Sequence, residues 1–396
     1  MSDRSRTRPR LGYPAAAAVF AIGMLGTTLP TPLYGLYRTE LGFSEFVVTV
    51  VFAVYAVGVI AVLLLAGNFS DQVGRRPVLL TALGLSAASA VCFLFEGGLP
   101  VLLLGRLLSG FSAGLFSGVA TVTVMEVAPR ERAARAGFAA TAANMGGLGC
   151  GPLVAGLLAQ YVSSPLTVPF LVDMALIAAA CVLLWALPET VAERRRPRLR
   201  PQGLTVPPEA RGVFTPAATA AFAGFALLGL FTAVAPSFLA QTLSERNLAV
   251  AGAVVFTVFL ASVVGQSMTD RIGRRRTLPG GCFVLVAGLL LVAAALYWES
   301  LPLLVAGAVC GGLGQGLSFR AAVGTVSAAA PAEHRGGTIS SFFVIAYLGI
   351  SLPVVGVGAL TLAAGLRDAG LIFTACVMVL AVGVGLYVLR KPPRTA

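Results

Sequence analysis

The chain has 396 residues, of which 57% are hydrophobic and only 11% are charged. Because a soluble domain usually carries about 25% charged residues, this composition excludes a soluble protein and predicts an outer surface that meets lipid. The net charge of +12 lies in short clusters between apolar stretches, which argues against a nucleic-acid partner.

Apolar runs follow one another along the chain, each long enough to cross about 30 Å of hydrocarbon as a helix. None alternates as a barrel strand does. We therefore predict an all-α membrane protein with about twelve transmembrane helices in two pseudo-symmetric six-helix bundles. The runs cover 14–37, 46–67, 78–95, 99–125, 137–162 and 167–187, and then 215–240, 247–268, 277–298, 302–328, 337–364 and 368–389.

A polar stretch rich in arginine and proline separates the two sets of runs and is predicted to be a linker. The N-terminal arginines before the first run are compatible with a signal peptide. That run is long, however, and we interpret it as an uncleaved span. The predicted organisation is a tail at 1–13, a first bundle at 14–188, the linker at 189–213, a second bundle at 214–389 and a tail at 390–396.

The basic residues predict the orientation. Most of the 28 lysines and arginines lie in the tails, the linker and the loops on the same side. The opposite loops hold only Arg38, Arg246 and Arg367. Basic loops stay in the cytoplasm. We therefore expect a multi-pass protein of the cytoplasmic membrane with both termini cytoplasmic.

Two loops in corresponding positions of the two halves resemble each other. The loop after the second run reads G-N-F-S-D-Q-V-G-R-R-P from Gly67 to Pro77, and the loop after the eighth reads G-Q-S-M-T-D-R-I-G-R-R-R from Gly265 to Arg276. The sixth run ends in L-P-E-T, from Leu187 to Thr190. This pattern resembles the major facilitator superfamily across the whole chain.

The resemblance implies a fold of two six-helix bundles that rock about a central substrate site, with cavity residues from spans one, four, seven and ten. It also implies that the loop motif acts as a conformational latch, whose ion pairs form and break as the halves move. Arg75 and Arg76 could instead serve only to fix topology. The residues assigned to the latch are Gly67, Asp71, Gly74, Arg75, Arg76, Glu126, Arg132, Arg135, Asp270, Arg271 and Arg274.

Charged residues inside the spans are candidates for proton coupling or the substrate cavity, because a charge in hydrocarbon is costly without a function. Arg106 lies in span four, where the family commonly has an arginine linked to proton coupling. Asp173 lies at nearly the same depth in span six, and we hypothesise that the two interact or compete for a proton. Snorkelling of Arg106 and an interfacial Asp173 are the alternatives. The full candidate set is Arg106, Asp173, Asn144, Tyr34 and Arg320.

Arg320 has two interpretations: it lines the mouth of the inner cavity, or it snorkels to the headgroups. Small residues in spans four and five are predicted to pack helices closely. The span-five set resembles a motif of drug/proton antiporters within the superfamily. Two features depart from those exporters: Ala155 stands where the motif usually has glycine, and span one contains no acid. The packing residues are Gly110, Gly114, Gly147, Gly151 and Pro152.

Enzyme chemistry is not expected. The six cysteines lie in apolar runs without a Cys-x-x-Cys pair, His334 is the single histidine, and there is no phosphate-binding loop. We expect no metal and no cofactor other than a proton gradient, and a monomer whose partners are a small-molecule substrate and the lipid bilayer. The predicted function is proton-coupled efflux of small, fairly apolar compounds. Uptake of a polar nutrient, such as a sugar or organic anion, by a symporter or facilitator is the alternative.

Overall fold

The computed structural model describes residues 12–65, 69–95, 97–191 and 203–390, with the side chains of Arg274 and Arg275 excepted. Within these ranges the regular secondary structure is helical and contains no strand. Most of both predicted tails and the middle of the predicted linker lie outside the described residues.

Eleven helical segments of the described chain are long and apolar enough to cross a membrane. The last segment, Arg335–Arg390, is broken at Gly365, where φ is 80° and ψ is 165°. Because glycine adopts this conformation readily, the break makes two spans of one segment. The prediction of an all-α fold with about twelve spans is confirmed. The spans are α1 (Tyr13–Leu41), α2 (Glu45–Leu65), α3 (Arg75–Leu94), α4 (Leu99–Val127), α5 (Arg130–Tyr161), α6 (Val168–Ala186), α7 (Pro208–Gln241), α8 (Leu248–Ile272), α9 (Arg274–Trp298), α10 (Leu301–Ala329), α11 (335–364) and α12 (366–390).

Two helices begin earlier than their apolar runs. The α7 helix starts at Pro208, inside the predicted linker, and α5 starts at Arg130 with a short 3₁₀ turn. A proline in the first turn costs no hydrogen bond, since the first amides of a helix have no intrahelical partner. Hydropathy detects only the part of a helix that meets hydrocarbon, so it misses polar first turns.

Two helices also contain wider turns. A π-helical segment covers Ala142–Gly146 in α5, and another covers Leu230–Val234 in α7. In α1, a 3₁₀ segment at Thr31–Leu33 follows Pro30 and joins two α-helical parts. Such irregular turns change the direction in which the flanking helical residues project.

Each half is assembled around a glycine-rich helix. The α4 helix packs on α2 and α3, and α10 packs on α8 and α9. A Cβ added at Gly110 would meet the carbonyl oxygen of Tyr55 and would lie 3.0 Å from Cα of Gly58. A Cβ at Gly114 would lie 2.7 Å from Cβ of Val62. The absence of side chains at these positions lets the backbones of α2 and α4 approach closely.

The two halves meet through α2 with α11 and through α5 with α8. We call the end of the bundle that carries Gly74 the motif end, and the end that carries Gly42 the opposite end. At the opposite end, the side chain of Gln160 in α5 accepts a hydrogen bond of 2.9 Å from the amide of Leu248 in α8. At the motif end, every ion pair of the described residues lies within one half. The halves are therefore tied together at the opposite end.

Candidate functional site

An ion-pair cluster lies at the motif end of the first half, around Arg75 at the start of α3. Its guanidinium lies 2.5 Å from a carboxylate oxygen of Asp71 and 3.0 Å from one of Glu126 in α4. It also donates a 2.6 Å hydrogen bond to the hydroxyl of Ser70. The Arg75 side chain is only 11% exposed. The cluster thus joins the loop before α3 to the end of α4.

Glu189, just after α6, adds a third helix end to this cluster. Its carboxylate accepts hydrogen bonds from the backbone amides of Arg75 at 2.9 Å and Arg76 at 3.1 Å. These are first-turn amides of α3, which a negative charge satisfies well. Thr190 donates a 2.6 Å hydrogen bond to Glu126. The cluster therefore includes an acid, Glu189, that the sequence prediction did not assign to the latch.

Gly74 makes this contact possible. Its φ of 113° belongs to the region that favours glycine, and a Cβ there would lie 2.8 Å from a carboxylate oxygen of Glu189. Arg76 turns to α6, where it donates to the carbonyl of Leu187 and lies 5.7 Å from the ring centre of Trp185. Arg76 thus has a structural partner in this conformation as well as a charge that favours one side of the membrane.

Two other residues assigned to the latch lie outside this ion-pair cluster. Arg132 and Arg135 are exposed, and among the described residues neither forms an ion pair. Gly67 lies outside the described residues.

The second copy of the loop motif forms a smaller contact. Asp270 of α8 pairs with Arg320 of α10 at 3.0 Å, with side chains 74% and 38% exposed. Arg320 thus forms an ion pair across two helices in this conformation. Arg271 is exposed, and the side chain of Arg274 lies outside the described residues.

Arg106 lies in the interior of the first half and is only 1% exposed. Its guanidinium donates to the carbonyl of Thr27 in α1 at 2.7 Å and lies 3.4 Å from the hydroxyl of Ser109. It also lies 4.7 Å from the ring centre of Tyr55 and 5.6 Å from that of Phe52. In this conformation a carbonyl and two ring faces contact the guanidinium instead of a carboxylate. Among the described residues its Nε has no hydrogen-bond partner.

Asp173 of α6 is also buried, at 2% exposure. It lies beside α1 and α3. A Cβ added to Gly26 of α1 would lie 2.9 Å from an Asp173 oxygen and 2.9 Å from the hydroxyl of Ser86 in α3. Among the described residues, its Oδ1 has no hydrogen-bond partner and its carboxylate forms no ion pair. Arg106 and Asp173 contact consecutive residues of α1, Thr27 and Gly26, but this conformation does not pair them.

Polar groups of α1 and α5 complete the candidate site. The hydroxyl of Tyr34 is buried and has no hydrogen-bond partner among the described residues. Asn144 lies half-buried in the π-helical segment of α5. A Cβ at Gly147 would lie 2.9 Å from Cβ of Met24, and one at Gly151 would lie 2.5 Å from the Thr28 hydroxyl. The small residues of α5 thus let α1 lie close beside it.

Pro152 marks the place where α5 meets the second half. Its carbonyl lies where a Cβ on Gly252 of α8 would fall.

An aromatic cluster joins the halves at the level of Arg106, and sequence analysis does not predict it. Tyr55 of α2 lies 6.4 Å from Tyr347 of α11, measured between ring centres. Phe225 of α7 lies 5.8 Å from Tyr347 and 5.2 Å from Phe319 of α10. Arg106, through Tyr55, is therefore connected to aromatic side chains of the second half.

A twelve-helix bundle with a duplicated loop motif and buried charges between its helices is the architecture of a secondary transporter. The family model described as "Major Facilitator Superfamily" matches residues 16–256 and 220–396. The chain belongs to the major facilitator superfamily. It is therefore a multi-pass membrane transporter and not an enzyme.

Curated superfamily relatives match part of the chain. "Putative multidrug resistance protein MdtD" of Escherichia coli (strain K12) is 29% identical over 177 residues, which are 45% of this chain and 37% of the relative. The protein of that name from Cronobacter sakazakii (strain ATCC BAA-894) is 28% identical over 178 residues. The chain thus spans well under half the length of the curated relatives that it matches.

Solved structures match nearly the whole chain. The bacterial homologue of the human lysosomal transporter Spinster, in an inward-facing and unoccupied conformation, aligns over 99% of this chain with a TM-score of 0.70 and 15% identity. The human organic anion transporter MFSD10 aligns over 96% with a TM-score of 0.67 and 18% identity. Each alignment covers 100% of the solved chain. At these identities the likeness shows the fold.

Proposed function

We propose that this protein is a proton-coupled exporter of small, fairly apolar compounds that works by alternating access. The observation that carries the proposal is Asp173, a buried carboxyl group at the junction of α1, α3 and α6 that forms no ion pair among the described residues. We further propose that the protein acts as a monomer in the cytoplasmic membrane, with both termini in the cytoplasm as its basic loops indicate.

The described surroundings of Asp173 offer little compensation for a negative charge. The backbone of Gly26 and the hydroxyl of Ser86, both neutral, lie on one side of it. An ionised carboxylate in such a place loses its hydration and gains no counter-charge, which costs several kcal/mol unless water or a cation reaches it. A movement of α1 against α3 and α6 that admits water would favour release of the proton. Protonation of Asp173 would thus be coupled to the position of α1.

The aromatic cluster supports an apolar substrate. Tyr55, Phe225, Phe319 and Tyr347 come from both halves and offer ring faces for an apolar compound when the halves separate. The name of the MdtD relatives, multidrug resistance proteins, supports export. The glycine-proline motif of α5, which resembles that of drug/proton antiporters, supports it further.

Uptake of a polar nutrient or organic anion is the second candidate. It is favoured by two buried hydrogen-bond donors that have no partner among the described residues, Nε of Arg106 and the hydroxyl of Tyr34. These groups would suit a substrate that carries oxygen acceptors. The absence of an acid in α1 also fits this candidate.

The test is a proton-flux assay in proteoliposomes that hold a proton gradient and a pH-sensitive dye. Apolar drugs, sugars and organic anions are added one at a time. We expect some apolar drugs to collapse the gradient and Asp173→Asn to abolish that response. Asp368→Asn, at an exposed acid, is the matched control and should respond like the wild type. Substrate flux without proton movement, or a full response from Asp173→Asn, would refute the proposal.

A further inference from the structure

Glu45, the first residue of α2, lies at the opposite end, where the two halves meet. Its carboxylate accepts a hydrogen bond of 3.0 Å from the hydroxyl of Ser237 and another from the amide of Gln241, both in α7. It also forms an ion pair with Arg38 at the end of α1. The Glu45 side chain is only 14% exposed. One carboxylate of the first half thus binds two side chains of the second.

We propose that Glu45 is a gate residue, whose bonds to α7 hold the opposite end closed and whose release opens the transport path there. The proposal rests on the alternating-access part of the proposed function. It is independent of the substrate, the coupling ion and the direction of transport.

A small pocket adjoins this bridge between the halves. Residues of both halves line it, among them Thr31 and Tyr34 from α1 and Ala233 and Pro236 from α7. Its position makes it the part of the path that would be exposed first if α7 moved away from α1 and α2.

Two polar side chains of this pocket favour opening. The hydroxyls of Thr31 and Tyr34 line it, and among the described residues neither has a hydrogen-bond partner. Opening would give both hydroxyls full access to bulk water, which favours the open state. The bonds of Glu45 to Ser237 and Gln241 favour the closed state.

The charge of Glu45 is central to the bridge. A carboxylate can accept all three of its bonds at once, and charge-assisted hydrogen bonds are about twice as strong as neutral ones. A glutamine at this position would keep one acceptor oxygen but would lose the ion pair with Arg38 and turn an amide donor toward one of the present donors. Glu45→Gln therefore weakens the bridge with little change in side-chain volume.

The experiment measures the labelling rate of a single cysteine in the pocket. The six native cysteines are replaced, and Ala233→Cys, 4% exposed in the closed state, becomes the reporter. A membrane-impermeant maleimide is applied to the full chain in proteoliposomes, without substrate or proton gradient. We expect Glu45→Gln to raise the labelling rate about tenfold, in keeping with the loss of a charged hydrogen bond.

Glu40→Gln is the matched control. Glu40 is an exposed acid near the same end of α1, so its substitution changes the net charge equally without touching the bridge. Gln241→Ala should accelerate labelling as Glu45→Gln does, and the double variant should be no faster than the faster single one, because both remove the same interaction. General loosening of the fold would instead add the two effects.

A labelling rate of Glu45→Gln equal to that of Glu40→Gln would overturn the gate proposal, as would additive effects of Glu45→Gln and Gln241→Ala. Failure of the proton-flux assay with a positive labelling result would refute proton-coupled export and leave the gate standing.

Discussion

Replacement of Glu189 by alanine should destabilise the motif end of the first half. Glu189 accepts hydrogen bonds from the first-turn amides of α3, at 2.9 Å and 3.1 Å. Alanine would leave both amides without this acceptor. Loss of a helix-capping side chain costs about 0.5–2 kcal/mol, and hydrogen bonds to a charged group lie at the upper end. Because Glu189 is half-buried, we expect a loss of about 2 kcal/mol.

Thermal unfolding of the purified protein in detergent, followed by tryptophan fluorescence, measures this effect. For a large domain, a loss of about 2 kcal/mol lowers the midpoint by roughly 4–8 °C. Glu189→Gln keeps one oxygen acceptor and should fall between alanine and wild type. Glu209→Ala is the matched control, since Glu209 is an exposed acid in the first turn of α7 and accepts no such bonds in the described structure. Equal midpoints for Glu189→Ala and Glu209→Ala would show that the capping contact does not stabilise this end.

Two further predictions concern helix contacts. Gly110→Leu should prevent accumulation of folded protein, because the side chain would collide with the backbone of α2, whereas Gly118→Leu on the same helix should be tolerated since nothing lies within 4 Å. Size-exclusion profiles of the two variants in detergent decide this, and equal monodisperse yields would contradict it. Arg320→Ala should leave the unfolding midpoint unchanged, because its pair with Asp270 is exposed and such pairs contribute about 0–1 kcal/mol. A drop as large as that expected for Glu189→Ala would show that the pair is stronger than its exposure suggests.

The number of spans follows from the sequence because hydrocarbon demands about twenty apolar residues for each crossing. The residues assigned to the latch likewise include Arg75 and Glu126, which the structure brings together. Glu189 belongs to the L-P-E-T sequence at the end of α6. Its contact with the first amides of α3, however, depends on where α6 ends relative to α3. That placement is tertiary, and no local pattern encodes it.

The bridge at Glu45 and the aromatic cluster could not be predicted for a similar reason. Both join residues of different halves, far apart in the chain, so they depend on how the two bundles dock. Aromatic residues are also common in apolar spans, so Tyr55 and Tyr347 carry no distinguishing pattern in the sequence. The sequence places Arg106 and Asp173 at similar depth. Only the structure shows that both contact α1 and that they do not pair with each other.

The cluster around Arg75 gives the two halves unequal stiffness at the motif end. In the first half, α3, α4 and α6 are fastened to one another through Glu126 and Glu189. In the second half, the described residues offer at that end a single exposed ion pair, between α8 and α10. The first half should therefore be more rigid at the motif end than the second. In the proposed alternating-access movement, the helices of the second half should shift more against one another than those of the first, so the two bundles need not contribute equally to the motion.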